Sequence, residues 1–435
     1  MKRIRVLATV IAGLVTAAGA GVSQTASAAP AAAASTVTSS ATSSVARTTS
    51  AACPPSNSGL SLPQTPDHGV SQAQIFDRGV TDPSVYAGHV YYVWGSLSPQ
   101  QPQGVVGSYY MTAFRNAPLR TYTYDWFRTN HPTWIEYTAD RTTPAWEFGN
   151  QVYTPLDVAN PEVRQWYFTT IIEPAIAAGY KVIAVDNIGL RNDFKMSGHY
   201  DADGNWVQQF SDDPDDATFF DYVNDWLSYL SGGLHARGAA GAFNITFNAS
   251  LHDFSQDKTE AWLNATRKAI ATSDIWLNEQ GFTVHRPENV TDDEWSMMYD
   301  LIREFRCKPM VIDNKLPTDT WDQASPEQRQ WVVANYLLYR ERPTMMVMTG
   351  LKDYAQYNDI PELDVDLGRP VTGPIGHGTG LWLRSYQHGM TVVNPSSTAS
   401  RQLILPGTWT DLHGVTYSGR TTVPPNTGLV LTPTH

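Results

Sequence analysis

A (β/α)8 barrel followed by a small C-terminal antiparallel β-sandwich is the fold that the sequence predicts, and three observations carry the prediction. From about residue 90, eight apolar runs alternate with long amphipathic stretches. The last four runs end at 248, 279, 313 and 348, a spacing of about 31–35 residues that suits one strand–helix unit. Beyond Tyr354 the texture changes to short strand-like runs separated by Gly, Pro, Asn and Ser, as in "LWLRSYQHGMTVVNPSS" and "TTVPPNTGLVLTP". No helical period continues from about 366 onward, which reads as an antiparallel module. A doubly wound open sheet shows the same alternation. Eight runs, with no glycine-rich phosphate loop after the first, favour the barrel.

The expected strands are Tyr91–Gly95, Gly107–Thr112, Thr133–Tyr137, Val182–Asp186, Ala242–Asn248, Asp274–Glu279, Pro309–Asp313 and Thr344–Met348. Helix ends are marked by local chemistry. Thr291-Asp292-Asp293-Glu294 reads as a capping box for a helix running to Phe305. Ser325-Pro326-Glu327-Gln328 joins an N-cap, a first-position proline and a box-closing Gln. Asn160-Pro161 opens another helix, and Asp157 just before it is expected to serve as a cap. Gly238 is expected to end the helix over Phe219–Ala236.

The first residues have the form of a secretory signal. Lys2, Arg3 and Arg5 precede an apolar, Ala- and Gly-rich stretch over 6–22, and Ala26-Ser27-Ala28 offers small residues for cleavage before Ala29. Residues 29–52 are almost wholly Ala, Ser and Thr, a composition unable to bury enough surface to offset its conformational entropy. The division expected is a signal peptide over 1–28, a flexible linker over 29–52, the barrel over 53–360 and the sandwich over 366–435. The protein is accordingly expected to be secreted, with no membrane span, and to act as a monomer.

The formal charge is −12, more acidic still without the basic head, and this argues against nucleic acid or an anionic membrane as partner. The 14 Trp and 21 Tyr suit sugar rings as well as any large core. Cys53 and Cys307 are the two cysteines, and an even count in an oxidising compartment predicts a disulfide between them. Gly-x-Ser-x-Gly, His-Glu-x-x-His and Cys-x-x-Cys are all missing, so serine hydrolase and zinc protease chemistry have no support and no cofactor or metal is expected. Asp201-Ala202-Asp203-Gly204-Asn205 hints at a calcium loop but lacks the later bidentate Glu, and reads as a hairpin turn.

In such a barrel the reactive groups sit at the C-terminal ends of strands. Four successive runs end on acidic or amide groups, with Asp186-Asn187, Asn248, Asn278-Glu279 and Asp313-Asn314. Asp186 is followed by the long segment "IGLRNDFKMSGHYDADGNWVQQF" and Glu279 by non-helical sequence. Helix capping, the ordinary role of an acid after a strand, therefore explains neither of them. A facing carboxylate pair is what glycosidic cleavage requires, one group to protonate the leaving oxygen and one to attack or to activate water. Asp186 is the expected nucleophile and Glu279, on an apolar strand beside Trp276, the expected general acid/base. Sugar contacts are expected from Trp94, Trp126, Trp146, Asn187, Asn248, Trp276, Asp313 and Tyr354.

The segments "WIEYTADRTTPAWEFG", "LDVANPEVRQWYFTTIIEPAIAAGYKVIAVDN", "IWLNEQGF" and the tail "LWLRSYQHGMTVVNP…LP…PPNTGLVL" resemble barrel-type glycosyl hydrolase-like families. These are related to the endo-α-1,4-polygalactosaminidases and, more distantly, to the α-galactosidase and α-amylase clans. The resemblance implies a strand-four Asp as nucleophile, matching Asp186, and a later-strand acid/base, matching Glu279. It also implies a C-terminal β-sandwich and a retaining reaction on an α-linked carbohydrate. A carbohydrate-binding protein on the same scaffold, without catalysis, is the competing expectation.

Overall fold

The computed structural model describes residues 59–146, 152–192, 194–245, 259–279, 281–283, 289–376 and 378–434. Its centre is a parallel sheet of nine segments. These are β1 (Gln72–Ile75), β2 (Val90–Trp94), β3 (Val106–Gly107), β4 (Tyr109–Thr112), β6 (Val182–Ile188), β9 (Ala240–Ile245), β10 (Ile275–Glu279), β11 (Met310–Lys315) and β12 (Thr344–Thr349). The spatial order is β3-β2-β1-β12-β11-β10-β9-β6-β4. The two end segments are consecutive in the chain, separated only by Ser108. Val106 and Gly107 pair with Tyr92 and Val93, whereas Tyr109 to Thr112 pair with Ile183 to Asp186. One strand thus divides its pairing between two neighbours and brings the sheet round into a nearly closed barrel of eight strands. Ser108 holds the seam, its backbone and hydroxyl both donating to the Val93 carbonyl while its hydroxyl accepts from Tyr92.

The (β/α)8 expectation is met, with two exchanges among the strands. Residues 133–137 do not enter the barrel. Pro132–Trp134 form a 3-10 turn, and Tyr137–Thr138 (β5) join an antiparallel sheet with β7 (Ser197–Tyr200) and β8 (Trp206–Phe210) in the order β5-β7-β8. The missing strand is β1, only four residues long and preceded by polar sequence, so it lacks the apolar run that marks the others. One gain and one loss cancel, and Asp186 still lies on the fourth barrel strand.

Helices flank the sheet: α1 (Tyr124–Asn130), α2 (Pro161–Tyr167), α3 (Glu173–Ala177), α4 (Ala217–His235), α5 (Glu260–Thr272), α6 (Asp292–Glu304) and α7 (Pro326–Tyr339). Asn160 caps α2 by accepting from the Glu162 N–H, so Asp157 does not take the role expected of it. The Ser325–Gln328 box forms on α7. The Thr291 box does not, because Asp292 takes a positive φ of 51° and turns its carboxylate to the Ser397 N–H at 3.1 Å. Among the described residues no helix is long and apolar enough to cross a membrane.

Strand alternation sorts the side chains. Ala73, Ile75, Tyr92, Trp94, Val182, Ala184, Ala240, Ala242, Ile275, Leu277, Val311, Met345 and Val347 fill the barrel interior. The intervening Ile183, Val185, Phe243, Trp276, Met310, Ile312 and Met346 pack outward against the helices. Continuing the inward phase by two residues on each strand gives Asp186, Asn244, Glu279 and Asp313, and by four on β11 gives Lys315. The interior therefore ends in a polar layer at the C-terminal rim.

The C-terminal antiparallel sheet comprises β13 (Ile375–Gly376), β14 (Trp382–Ser385), β15 (Met390–Asn394), β16 (Arg401–Thr410), β17 (Thr416–Val423) and β18 (Thr427–Pro433), ordered β13-β14-β15-β18-β16-β17. One side lies on α7, where Thr391 donates to the Ala334 carbonyl at 2.9 Å. The buried Arg384 guanidinium donates to the Leu338 and Arg340 carbonyls at the end of that helix, satisfying groups the helix itself leaves unpaired. The other side closes over Leu403, Leu405, Val423 and Leu431.

Candidate active site

The polar layer opens into a pocket of about 150 Å3 lined by Ile75, Phe76, Trp94, Asp186, Asn244, Leu277, Glu279, Asp313, Lys315 and Tyr354. Asp186 reaches it through an irregularity in its strand. The β6–β9 register slips between Val185 and Ile188, and Asn187 takes a φ of 61°. This local bulge re-aims the strand end. Oδ1 of Asp186 accepts from Asn244 Nδ2 at 2.7 Å and from the Asn187 N–H at 2.9 Å. Oδ2 accepts from the Tyr110 hydroxyl at 2.8 Å. With its amide turned to satisfy both ends, Asn187 also donates to Oδ2 at 3.1 Å and accepts from the Arg115 guanidinium.

Glu279 ends β10 directly across from Asp313 on β11. Its Oε2 accepts from the same Asn244 Nδ2 at 2.9 Å, and its Oε1 from the Lys315 ammonium. Asn244 thus bridges the two carboxylates, and its bonds of 2.7 and 2.9 Å keep their facing oxygens within about 5.6 Å. That limit applies to the nearest oxygens of the pair.

The charges are interdependent. Burial pushes the Asp186 carboxyl upward and the Glu279 charge adds to this, while the Asn244, Tyr110 and Asn187 donors oppose it. Burial also lifts Asp313 to about 7, against the pull of Lys315 and with help from Glu279 and Asp186. Burial works against the Lys315 ammonium, yet Asp313 and Glu279 outweigh it and hold the group at about 12. Its Nζ lies 3.8 Å from Asp313 Oδ2. Burial and the neighbouring Asp186 raise Tyr110 far above the usual phenol range, which keeps it a neutral donor. Of these carboxyls, Asp313 is the one that burial brings to about 7.

Of the residues expected here, Asp186, Glu279, Asp313, Trp94 and Tyr354 line the pocket and Asn187 adjoins it. Trp276 is corrected: three residues before Glu279, it points to the opposite face, is fully buried and donates its indole N–H to the Ile245 carbonyl. It offers no surface to a sugar and does not neighbour the Glu279 carboxyl as expected; Leu277 and Lys315 do. Trp126 packs on Tyr122 at 4.7 Å and Trp146 lies against Tyr124 at 6.1 Å, both outside the pocket lining. Asn248 lies outside the described residues, as does Cys53; Cys307 is disulfide-bonded.

Tyr110, Asn244, Lys315 and Phe76 went unselected by sequence reasoning. A signal was present for two of them. Asn244 and Lys315 share the inward phase of Ala242 and Asp313, and counting in twos from either names them.

The sequence model of the hypothetical glycosyl hydrolase family 15 matches residues 106–390, the span from the barrel seam into the C-terminal sheet. The chain belongs to that family. Hypothetical glycosyl hydrolase family 15 membership thus covers every strand that supplies a carboxylate to the pocket. No curated protein matches the chain. Among solved structures it is similar to an α-amylase from Geobacillus thermoleovorans complexed with acarbose, at 12% identity and a TM-score of 0.39 over 83% of this chain and 97% of that one. A GH31 dextranase from Flavobacterium johnsoniae complexed with isomaltotriose gives 10% identity and a TM-score of 0.39 over 85% of this chain and 52% of that one. A GH36 α-galactosidase from Geobacillus stearothermophilus in complex with stachyose gives 9% and 0.37 over 76% and 45%. The chain spans about half the length of the last two.

Proposed function

We propose that the protein is a retaining glycoside hydrolase that acts on an α-linked carbohydrate outside the cell. The observation that carries this reading is the shared Asn244 donor, which sets the Asp186 and Glu279 oxygens within about 5.6 Å at the foot of a pocket. Asp186 attacks the anomeric carbon, its position held by Tyr110, Asn244 and the Asn187 backbone. Glu279 protonates the departing oxygen, and in the second step removes a proton from the water that releases the sugar. Glu279 carries the proton that it donates, and the Lys315 ammonium offsets the negative charge of the neighbouring Asp313 and Asp186. Phe76, Trp94 and Tyr354 give the pocket aromatic walls beside the carboxylates. The α-linkage rests on the family resemblance.

Asp186→Asn and Glu279→Gln should each abolish hydrolysis across a panel of α- and β-linked glycans while circular dichroism stays unchanged. Full activity in either variant would sink the assignment. Azide rescue of Asp186→Gly with a product of inverted configuration identifies the nucleophile. Secretion rests on the Ala26-Ser27-Ala28 cleavage signal, and N-terminal sequencing of exported protein should begin at Ala29.

The second reading, a carbohydrate-binding barrel without catalysis, is favoured by the contact of Lys315 with Glu279, since an adjacent ammonium opposes protonation of the acid. Lys315 itself lines the pocket, however, so the pair is not turned away from a ligand. Binding of a glycan without turnover by the unaltered chain would decide for that reading.

A further inference from the structure

Away from the pocket, Glu136, Asp157 and His199 bring one ligand atom each within 4.8 Å of one another. Asp157 lies in the turn before α2, Glu136 immediately before β5, and His199 on β7. Asp157 has ordinary partners, its Oδ1 accepting from the Ala159 N–H and from Gln209. Its Oδ2 faces His199 Nδ1 at 3.3 Å. Glu136 is different. It is 0% exposed, and neither of its oxygens has a hydrogen-bond partner among the described residues.

A buried carboxylate beside a second one carries a large desolvation cost that only a proton or a cation relieves. A proton answers poorly here. It removes the Glu136 charge, but the buried Asp157 carboxylate beside it keeps its own and faces His199 across the same space. A cation uses all the groups present. Glu136 supplies lone pairs, Asp157 Oδ2 faces the same space, and among the described residues His199 Nδ1 has no hydrogen bond. Donors at about 2.0–2.2 Å from one ion are drawn together from this spread by small rotations.

We propose that Glu136, Asp157 and His199 form a binding site for a divalent first-row metal ion, zinc or manganese, that fastens the β5–β7–β8 sheet to the turn before α2. Two carboxylates and one imidazole suit those ions better than calcium, which takes six to eight oxygens. The three residues are separated widely in sequence, at 136, 157 and 199, so no ligand-spacing motif announces the site.

The test uses the full chain, freed of any affinity tag and dialysed without chelator. Elemental mass spectrometry should find about one equivalent of zinc or manganese. Chelation with EDTA should lower Tm by on the order of 3–5 °C, as loss of a ligand held at 100–1,000 times its Kd predicts for a chain this size. Zinc or manganese chloride should restore it and calcium chloride should not. Glu136→Gln and His199→Asn should bind the added metal at least about 100-fold more weakly and show a Tm that EDTA leaves unmoved. His199 is partly exposed, so its variant keeps the test available if Glu136→Gln fails to fold. An unaltered chain that retains no metal and whose Tm responds neither to EDTA nor to added zinc or manganese would overturn the site. Restoration by calcium alone, or an EDTA response in His199→Asn equal to that of the unaltered chain, would do the same.

Discussion

Asn244 donates through one nitrogen to both carboxylates, and so sets the spacing on which the chemistry depends. Tyr110 does the complementary work on the far oxygen of Asp186. A hydrogen bond to a charged group contributes about 1.5–3 kcal/mol to stability, so Tyr110→Phe should lower kcat and also lower Tm by on the order of 2–4 °C. An unaltered kcat would remove Tyr110 from the site's machinery. Asp313 permits a test by stability. In the unfolded chain it ionises near 3.8 and in the fold at about 7. Folding therefore takes up a proton between those values, and the native state loses ground as pH rises through them. Asp313→Asn removes that loss. Its Tm should exceed that of the unaltered chain at pH 8, with the advantage shrinking toward pH 4. An advantage of equal size at both pH values would show that Asp313 does not titrate in this window. Asp186 and Glu279 were legible in the sequence because a charge that ends an apolar run without a helix to cap needs another reason. Trp276 misled for the opposite cause: proximity along a strand is not proximity on a face, and an odd separation places two side chains on opposite sides.

At the scale of elements, local capping chemistry decided what could be read. Ser325-Pro326-Glu327-Gln328 delivered its box, the Ser325 hydroxyl accepting from the Gln328 N–H and the Gln328 side chain from the Ser325 N–H. Thr291-Asp292-Asp293-Glu294 has an equally good pattern, yet Asp292 bonds across to Ser397 of the C-terminal module, a partner invisible to any local window. The short β1 escaped notice because four residues give too little pattern to count. Close packing between elements supplies another prediction. A Cβ added to Gly428 on β18 would stand 2.7 Å from the Ala334 Cβ and 3.0 Å from the Trp331 Cα on α7. Gly428→Ala should therefore cost about 1–3 kcal/mol through overpacking, read as a lower denaturant midpoint at constant m-value. A midpoint equal to that of the unaltered chain would mean that β18 and α7 can part without cost.

For the whole molecule, α7 joins the barrel to the C-terminal sheet. Residues 330–339 are buried without exception, because the barrel covers one side of the helix and the C-terminal sheet covers the other. A chain ending at Asp366 should uncover the side of α7 around Ala334, which the C-terminal sheet covers, and accumulate as aggregate, whereas a folded, soluble product would show the barrel to be self-sufficient. The barrel itself was legible from the steady spacing of the later strands, whereas the irregular first third was not, since β5 looks like any other short apolar run until its partners β7 and β8 are seen. The circular order of the strands also bears on how the chain is made. β1 sits between β2 and β12, with Gln72 opposite Met346, so the first strand to leave the ribosome waits for the last. Until β12 is synthesised, β1 and β11 each present an open edge, the surface through which strands of different chains join. Dependence on chaperones during translation should accordingly persist until the region of Thr349 has emerged and then fall away.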